Sequence, residues 1–290
     1  MLIALCSMKG SPGVTSLAVA LAAQWPHADS TRRLVAEVDP SGGDLAMRFG
    51  LPATPGLVSL AAAARRARGA AVVWEHTQIL PGGAGVLVAP PGGLHARAAL
   101  HALISAPDGP LLHTLAREPG VVVLADCGRV DSGTPAEAIS RRADALVLVT
   151  GTQADELSHT AARLSELARW TPRPGLLLTG DGYSTAEVER ELGVPAIGRL
   201  PHDPAAAATL TGHRPPPAHR RGGGLARAAA ALARTLAAPA SAQHVRQGGG
   251  AILRPPPPSA QQPLVLAPAP VCDPPCHGHQ PSTARKEPST

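Results

Sequence analysis

Within Met8-Lys9-Gly10-Ser11-Pro12-Gly13-Val14-Thr15-Ser16 the chain gathers an ammonium, two glycines and three hydroxyls. This is the chemistry of an anion cradle. Glycines let successive backbone N–H groups converge on one concavity, and a hydroxyl at a helix start can ligate a divalent cation. Lys9 is the only lysine before Lys286, in a chain that otherwise uses arginine. The stretch follows an apolar run, Leu2–Cys6, and opens a helical pattern, Thr15–Gln24. A phosphate held there would meet the positive end of a helix. Carboxylates recur after later apolar runs. Glu37-Val38-Asp39-Pro40-Ser41-Gly42-Gly43 follows the second, and Asp126 closes Val121-Val122-Val123-Leu124-Ala125. A strand-terminal aspartate of this kind can hold Mg²⁺ directly or through water, or it can simply cap a helix. Pro201-His202-Asp203 follows the last apolar run.

Such residues need a scaffold that brings strand ends to one edge. Apolar runs at Leu2–Cys6, Leu34–Val38, Gly85–Ala89, Val121–Ala125, Ala145–Thr150, Gly175–Thr179 and Ala196–Arg199 read as strands. Helical patterns at Thr15–Gln24, Leu57–Arg68, Leu94–Ser105, Ala136–Arg141, Ala154–Arg169, Thr185–Leu192 and Leu225–Ala237 alternate with them. Val72–Leu80 reads as one more short strand. The runs are continuous rather than alternating, which suits strands buried on both faces. The expected class is therefore α/β: a doubly wound, mainly parallel sheet of seven or eight strands, with functional loops at the strand C-termini.

That pattern fills residues 1–238. From 239 to 290, Gly248-Gly249-Gly250, Pro255–Pro258 and scattered Pro, Ser and Gln cannot support a core, so a disordered, partly polyproline-like tail is expected. Residues 1–213 hold 17 Arg/Lys against 19 Asp/Glu, a net −2; residues 214–290 hold 9 against 2, a net +7. The basic balance thus belongs to the C-terminal segment, where it suits a solvated tail first and nucleic acid or an anionic surface second. Aromatics make up 2% of the chain and are scattered, which argues against a stacking platform for single strands. No apolar run reaches the roughly 18 residues of a membrane span. No basic region precedes the first apolar stretch, so no leader is expected and the cytosol is the expected compartment. Cys6 and Cys127 read as reduced core thiols. Cys272, Cys276, His277 and His279 have metal-ligand spacing but no core beneath them, and are read as coincidence. Leu225–Ala237 is Ala-rich and reads as packing on the domain rather than inserting into a membrane.

Taken together, these residues resemble the ParA/MinD family of P-loop ATPases, whose deviant loop reads K-G-G-x-G-K-[ST]. Lys9-Gly10-Ser11-Pro12-Gly13-Val14-Thr15 matches it in spacing, and the resemblance extends over residues 1–238 through Glu37/Asp39, Asp126 and Leu192-Gly193-Val194-Pro195…Pro201…Asp203. The resemblance implies ATP and Mg²⁺ as cofactors. It places Lys9, Gly10, Ser11, Gly13, Val14, Thr15 and Ser16 about the nucleotide, with Pro201 and Asp203 near the purine. It implies Mg²⁺ on Thr15 and Asp126, with Asp126 as the Walker B residue, and a switch or water-positioning role for Asp39. Lys9 would reach across an ATP-sandwiched homodimer to the partner's phosphates.

Two departures qualify this. Val14 stands where the second lysine belongs, and Leu178-Thr179-Gly180-Asp181 lacks the usual asparagine. A hydrogen bond to a charged group contributes about 1.5–3 kcal/mol, so losing the lysine weakens binding roughly 10- to 150-fold. Hydrolysis should suffer more, because transition-state charge goes unstabilised. Three functions follow as expectations. The first is an ATP-dependent positioning switch that pairs with itself and with a protein of a positioning or secretion system. The second is a weakly hydrolysing or non-hydrolysing localisation scaffold resembling TadZ/CpaE. The third is a nonspecific DNA-associated protein acting through Arg220, Arg221, Arg227 and the tail.

Overall fold

The computed structural model describes residues 1–9, 13–66, 69–106, 110–210 and 223–238. In chain order the elements are β1 Leu2–Ser7, α1 Val14–Ala23, β2 Arg32–Glu37, α2 Leu45–Phe49, α3 Leu57–Ala63, α4 Val72–Glu75 and β3 Gln78–Ile79. Then come β4 Gly85–Leu87, α5 Gly93–Ile104, α6 Leu111–Ala116, β5 Val121–Arg129, α7 Pro135–Ser140 and β6 Ala145–Gly151. The chain closes with α8 Ala154–Leu167, β7 Pro174–Thr179, α9 Thr185–Leu192, β8 Ala196–Leu200, α10 Pro204–Leu210 and α11 Gly224–Ala237.

The eight strands form one sheet in the order β3-β4-β2-β5-β1-β6-β7-β8. All neighbours pair in parallel except β3 with β4, which is antiparallel. The doubly wound, mainly parallel α/β fold expected from the apolar runs is the one observed. Continuous apolar strands are explained by two cores rather than one. In β1, Leu2, Ala4 and Cys6 enter one apolar cluster while Ile3 and Leu5 enter the other. In β5, Val121, Val123, Ala125 and Cys127 alternate with Val122 and Leu124 in the same way. Successive side chains point to opposite faces, so a sheet covered twice needs both sets apolar.

Val72–Leu80 is not one strand. Val72–Glu75 forms a helical turn, and only Gln78–Ile79 reaches β4. Val73 is fully buried, and the Thr77 hydroxyl donates to the Val73 carbonyl (2.8 Å) across that turn, which outweighs the β propensity of Val-Val-Trp. Three short helices, α2, α6 and α10, escape a reading by periodicity because five to seven residues complete barely two turns.

β1 lies at the centre, between β5 and β6. Buried residues of α1, which follows β1, belong to one core, and those of α7, which follows β5, belong to the other. α1 and α7 therefore cover opposite faces of the neighbouring strands β1 and β5, the arrangement that leaves a crevice at the C-terminal edge where such sheets bind ligands.

Candidate functional site

α1 is apolar nearly all round, with Leu17, Ala18, Ala20, Leu21 and Ala22 fully buried, so packing fixes it against the sheet. Among the described residues, no side chain caps its N-terminus. Gly13 caps it in the left-handed region (φ 92°) with no side-chain hydrogen bond and no acid in the first turn. By contrast, α7 and α9 are capped by Thr134 and Ser184, and α8 carries Gln153 paired with Glu156. The first N–H groups of a helix have no intrahelical partner, so those of α1 are available to an anion.

The side chain of Val14 is buried within the apolar cluster beneath α1. The side chain at this position is committed to the core. Lys9 Nζ pairs with Asp155 Oδ2 at 2.9 Å, both ends exposed, and draws the Asp155 carboxyl below its usual range. Gly10 and Ser11 lie outside the described residues.

Three carboxylates stand beside the helix start. Asp126, 3% exposed, is pushed up to about 7, chiefly by burial. A side-chain hydrogen bond from Thr15 and the Gly128 N–H (3.2 Å) favour its ionised form; Glu37 and Asp39 oppose it. Glu37 sits opposite Asp126 in the β2–β5 register. Burial raises its pKa, although its carboxylate accepts N–H bonds from Asp44 (2.8 Å), Leu45 (2.9 Å) and Ala89 (2.9 Å). Asp39 is also raised by burial, countered by the Ser41 N–H (2.7 Å) and by Arg129. Its carboxylate occupies the space a Cβ on Gly128 would need, and Gly128 has φ 57°. Glycine is required there twice over.

A cavity of about 320 Å³ opens beside Gly13 and Ser16 at the ends of β6, β7 and β8. Gln153, Thr179, Asp181, Pro201, His202 and Asp203 are among its walls, which carry no Lys or Arg among the described residues. Pro201 and Asp203 thus lie across from the open helix end. Asp203 also accepts the Ala206 N–H (3.0 Å) at the start of α10. The rim is held by Arg199 of β8, which donates to the Gly180 carbonyl (2.6 Å), the Tyr183 carbonyl (2.8 Å) and Thr152 Oγ1 (3.1 Å).

Of the residues singled out from the sequence, Gly13, Thr15, Asp39 and Asp126 come together at the β1–β5 crevice. Lys9 is turned away toward α8. Glu37 as a three-bond acceptor, Gly128 as a bare surface for Asp39, and Arg199 as a rim anchor were not assigned from the sequence. The glycine-rich run after Glu37 was the one available signal of close backbone approach.

No protein-family model matches the sequence, and no curated protein matches it either. Solved structures do match. A ParA family ATPase from Chlorobium tepidum TLS superposes with TM-score 0.62 at 17% identity, over 81% of this chain and 98% of that one. The fold is that of the ParA and MinD ATPases. The cell division ATPase MinD of Pyrococcus furiosus gives TM-score 0.61 at 18% identity, over 81% and 97% of the two chains. MinD of Pyrococcus horikoshii OT3, complexed with Mg-ADP, gives 0.60 at 16%, over 81% and 95%. In this ParA/MinD fold no helix among the described residues is long and apolar enough to cross a membrane.

The residues of this site suit Mg²⁺. A hydroxyl touching a buried carboxylate is a hard-oxygen donor pair. Asp126, raised by desolvation and by two further carboxylates, is a group that a cation would return to its ionised form. They suit phosphate through backbone N–H groups only, since the in-subunit ammonium is missing.

Proposed function

We propose that this chain is an ATP–Mg²⁺-binding positioning switch of the ParA/MinD kind, one that binds nucleotide more readily than it hydrolyses it. The observation that carries the reading is the open N-terminus of α1 with Thr15 set against the buried Asp126. Phosphates would take the N–H groups of Gly13, Val14, Thr15 and Ser16. Thr15 and Asp126 would hold Mg²⁺, which supplies positive charge across the phosphate oxygens. The base would occupy the cavity bounded by Pro201 and Asp203, whose lack of Lys and Arg suits an uncharged ring rather than phosphate. Asp39, resting on Gly128 beside Asp126, would position water or report the nucleotide state. Lys9 is held by an exposed ion pair, a weak restraint. It would leave Asp155 for a partner subunit's phosphates in a nucleotide-dependent homodimer. The Mg-ADP complex of the Pyrococcus horikoshii MinD supports nucleotide and metal in this fold. A cytoplasmic setting and a protein partner belong to the same proposal.

Burial of Val14 in apolar surroundings favours a second reading, a localisation scaffold with a relaxed site. A titration of ATP, ADP and dimerisation, in the natural chain and in Val14→Lys, decides between them. The switch predicts nucleotide binding in the natural chain and dimer formation that follows nucleotide; the Val14→Lys ammonium strengthens binding by at most roughly 150-fold, less the cost of drawing it out of the apolar cluster that holds Val14. A dimer indifferent to nucleotide favours the scaffold. If neither protein binds at millimolar nucleotide, the switch is wrong. The DNA reading rests on Arg220, Arg221 and a tail that lie outside the described residues, as do Cys272, Cys276, His277 and His279. Retardation of arbitrary DNA lost on deleting 214–290 would support it.

A further inference from the structure

Glu37 is a carboxylate with three backbone donors and no side-chain partner among the described contacts. Two donors, the N–H groups of Asp44 and Leu45, lie at the start of α2, at the far end of the loop that carries Asp39. The third, Ala89 N–H, lies just past β4, at the start of the loop that leads into α5. One side chain therefore ties two loops from different strands. The loops also touch directly. Gly43 N–H donates to the Pro90 carbonyl (3.1 Å), and a Cβ on Gly42 would overlap the backbone of Pro90 and Gly92. A Cβ on Gly43 would fall on the Glu37 carboxylate itself, so the loop is shaped around that group.

We propose that Glu37 is a positioning residue: by bonding Asp44, Leu45 and Ala89 together it sets the loop that places Asp39 on Gly128, beside Asp126. The identity of the residue matters. A carboxylate offers acceptors at both oxygens. Glutamine keeps one acceptor for Asp44 and Leu45 but turns an NH₂ toward the Ala89 N–H, where two donors meet. Aspartate is one methylene shorter and does not span all three. The consequence for the Asp39 switch rests on the nucleotide reading above; the coupling of the two loops does not.

The test uses the full chain. Hydrogen exchange is followed without nucleotide in the natural protein, Glu37→Gln and Gly43→Ala. The second variant acts by pushing the carboxylate aside, and covers the case in which Glu37→Gln fails to fold. Exchange at 39–45 and at 89–93 is expected to rise together, by about ten- to a hundredfold, the factor that one lost hydrogen bond to a charged acceptor gives. Amides of β1 and β6 should be unchanged. A rise confined to one loop, or none in either variant, overturns the proposal. A second readout is dimer formation by sedimentation with and without Mg-ATP, beside ATP affinity. Both variants should keep ATP affinity, whose metal rests on Thr15 and Asp126, while losing the dependence of dimer formation on Mg-ATP that Asp39 reports. Nucleotide-dependent dimerisation unchanged in folded variants overturns the placement of Asp39. Absence of any ATP binding in the natural chain would instead sink the nucleotide reading, and the exchange result would still decide the coupling.

Discussion

Two sides of the same crevice differ. On the β2–β5 side, Glu37, Asp39, Asp126 and Gly128 interlock through buried contacts that each need one residue type. On the β1–α1 side, the ammonium expected inside the subunit is a buried valine, and the remaining lysine sits on the surface in an ion pair. Carboxyl groups are retained and gathered, partly protonated by burial; positive charge is thinned. Under the proposed function, such a site would lean on a divalent cation and on backbone N–H groups to hold phosphate, and on a second subunit for any further ammonium. The contrast teaches that the acidic side and the helix side of one crevice are fixed separately, each by a different pair of elements.

The largest expected effect tests the acidic side. Folded Asp126 keeps its proton up to about pH 7, whereas its ordinary value is 3.8. The folded state therefore binds the proton more tightly, and this stabilisation is full below 3.8 and falls as pH climbs to about 7. The loss amounts to at most about 4 kcal/mol. Asp126→Asn should flatten that slope, with urea unfolding at about pH 5 and about pH 8 as the measurement. A slope as steep as in the natural chain would remove Asp126 as the buried charge that distinguishes this side.

A middle effect tests the interlock. Gly128→Ala bears about 1–2 kcal/mol for its left-handed backbone, plus the displacement of the Asp39 carboxylate. Gly133 has φ 77° and open space around it, so Gly133→Ala bears the backbone cost alone. The urea midpoint should fall further in Gly128→Ala, and the difference measures the Asp39 contact. Equal losses would mean that Asp39 does not rest there in solution.

The smallest effect on stability is expected on the opposite side. Lys9→Ala removes an exposed ion pair and should leave Tm close to that of the natural chain. Sedimentation with and without Mg-ATP should nevertheless lose its nucleotide-dependent dimer. A large drop in Tm would show that Lys9 is structural, and the contrast between the two sides would then narrow.

Much of this was legible without coordinates. Apolar runs leading to Asp39 and Asp126, the first broken only by Glu37, announce buried parallel strands with acids at one edge, because a residue between two layers has no polar face to offer. The pattern after Gly13 announces the start of a helix, and α1 begins at Val14. α2 was not legible: its five residues have no side-chain cap of their own, and its first N–H groups are met by Glu37. Nor was the division of Val72–Leu80, which depends on how far β4 extends.

What the sequence determined by itself is local: which segments are buried on both faces, where the strands end, and which residue types stand there. Only the tertiary structure decided that Val14 packs inward, that Lys9 meets Asp155, that Asp39 leans on Gly128 and that Glu37 binds Ala89. Those partners lie far apart along the chain. They meet because the strand order sets β2 beside β5 and β1 beside β6, and strand order follows from how whole faces pack rather than from any local pattern.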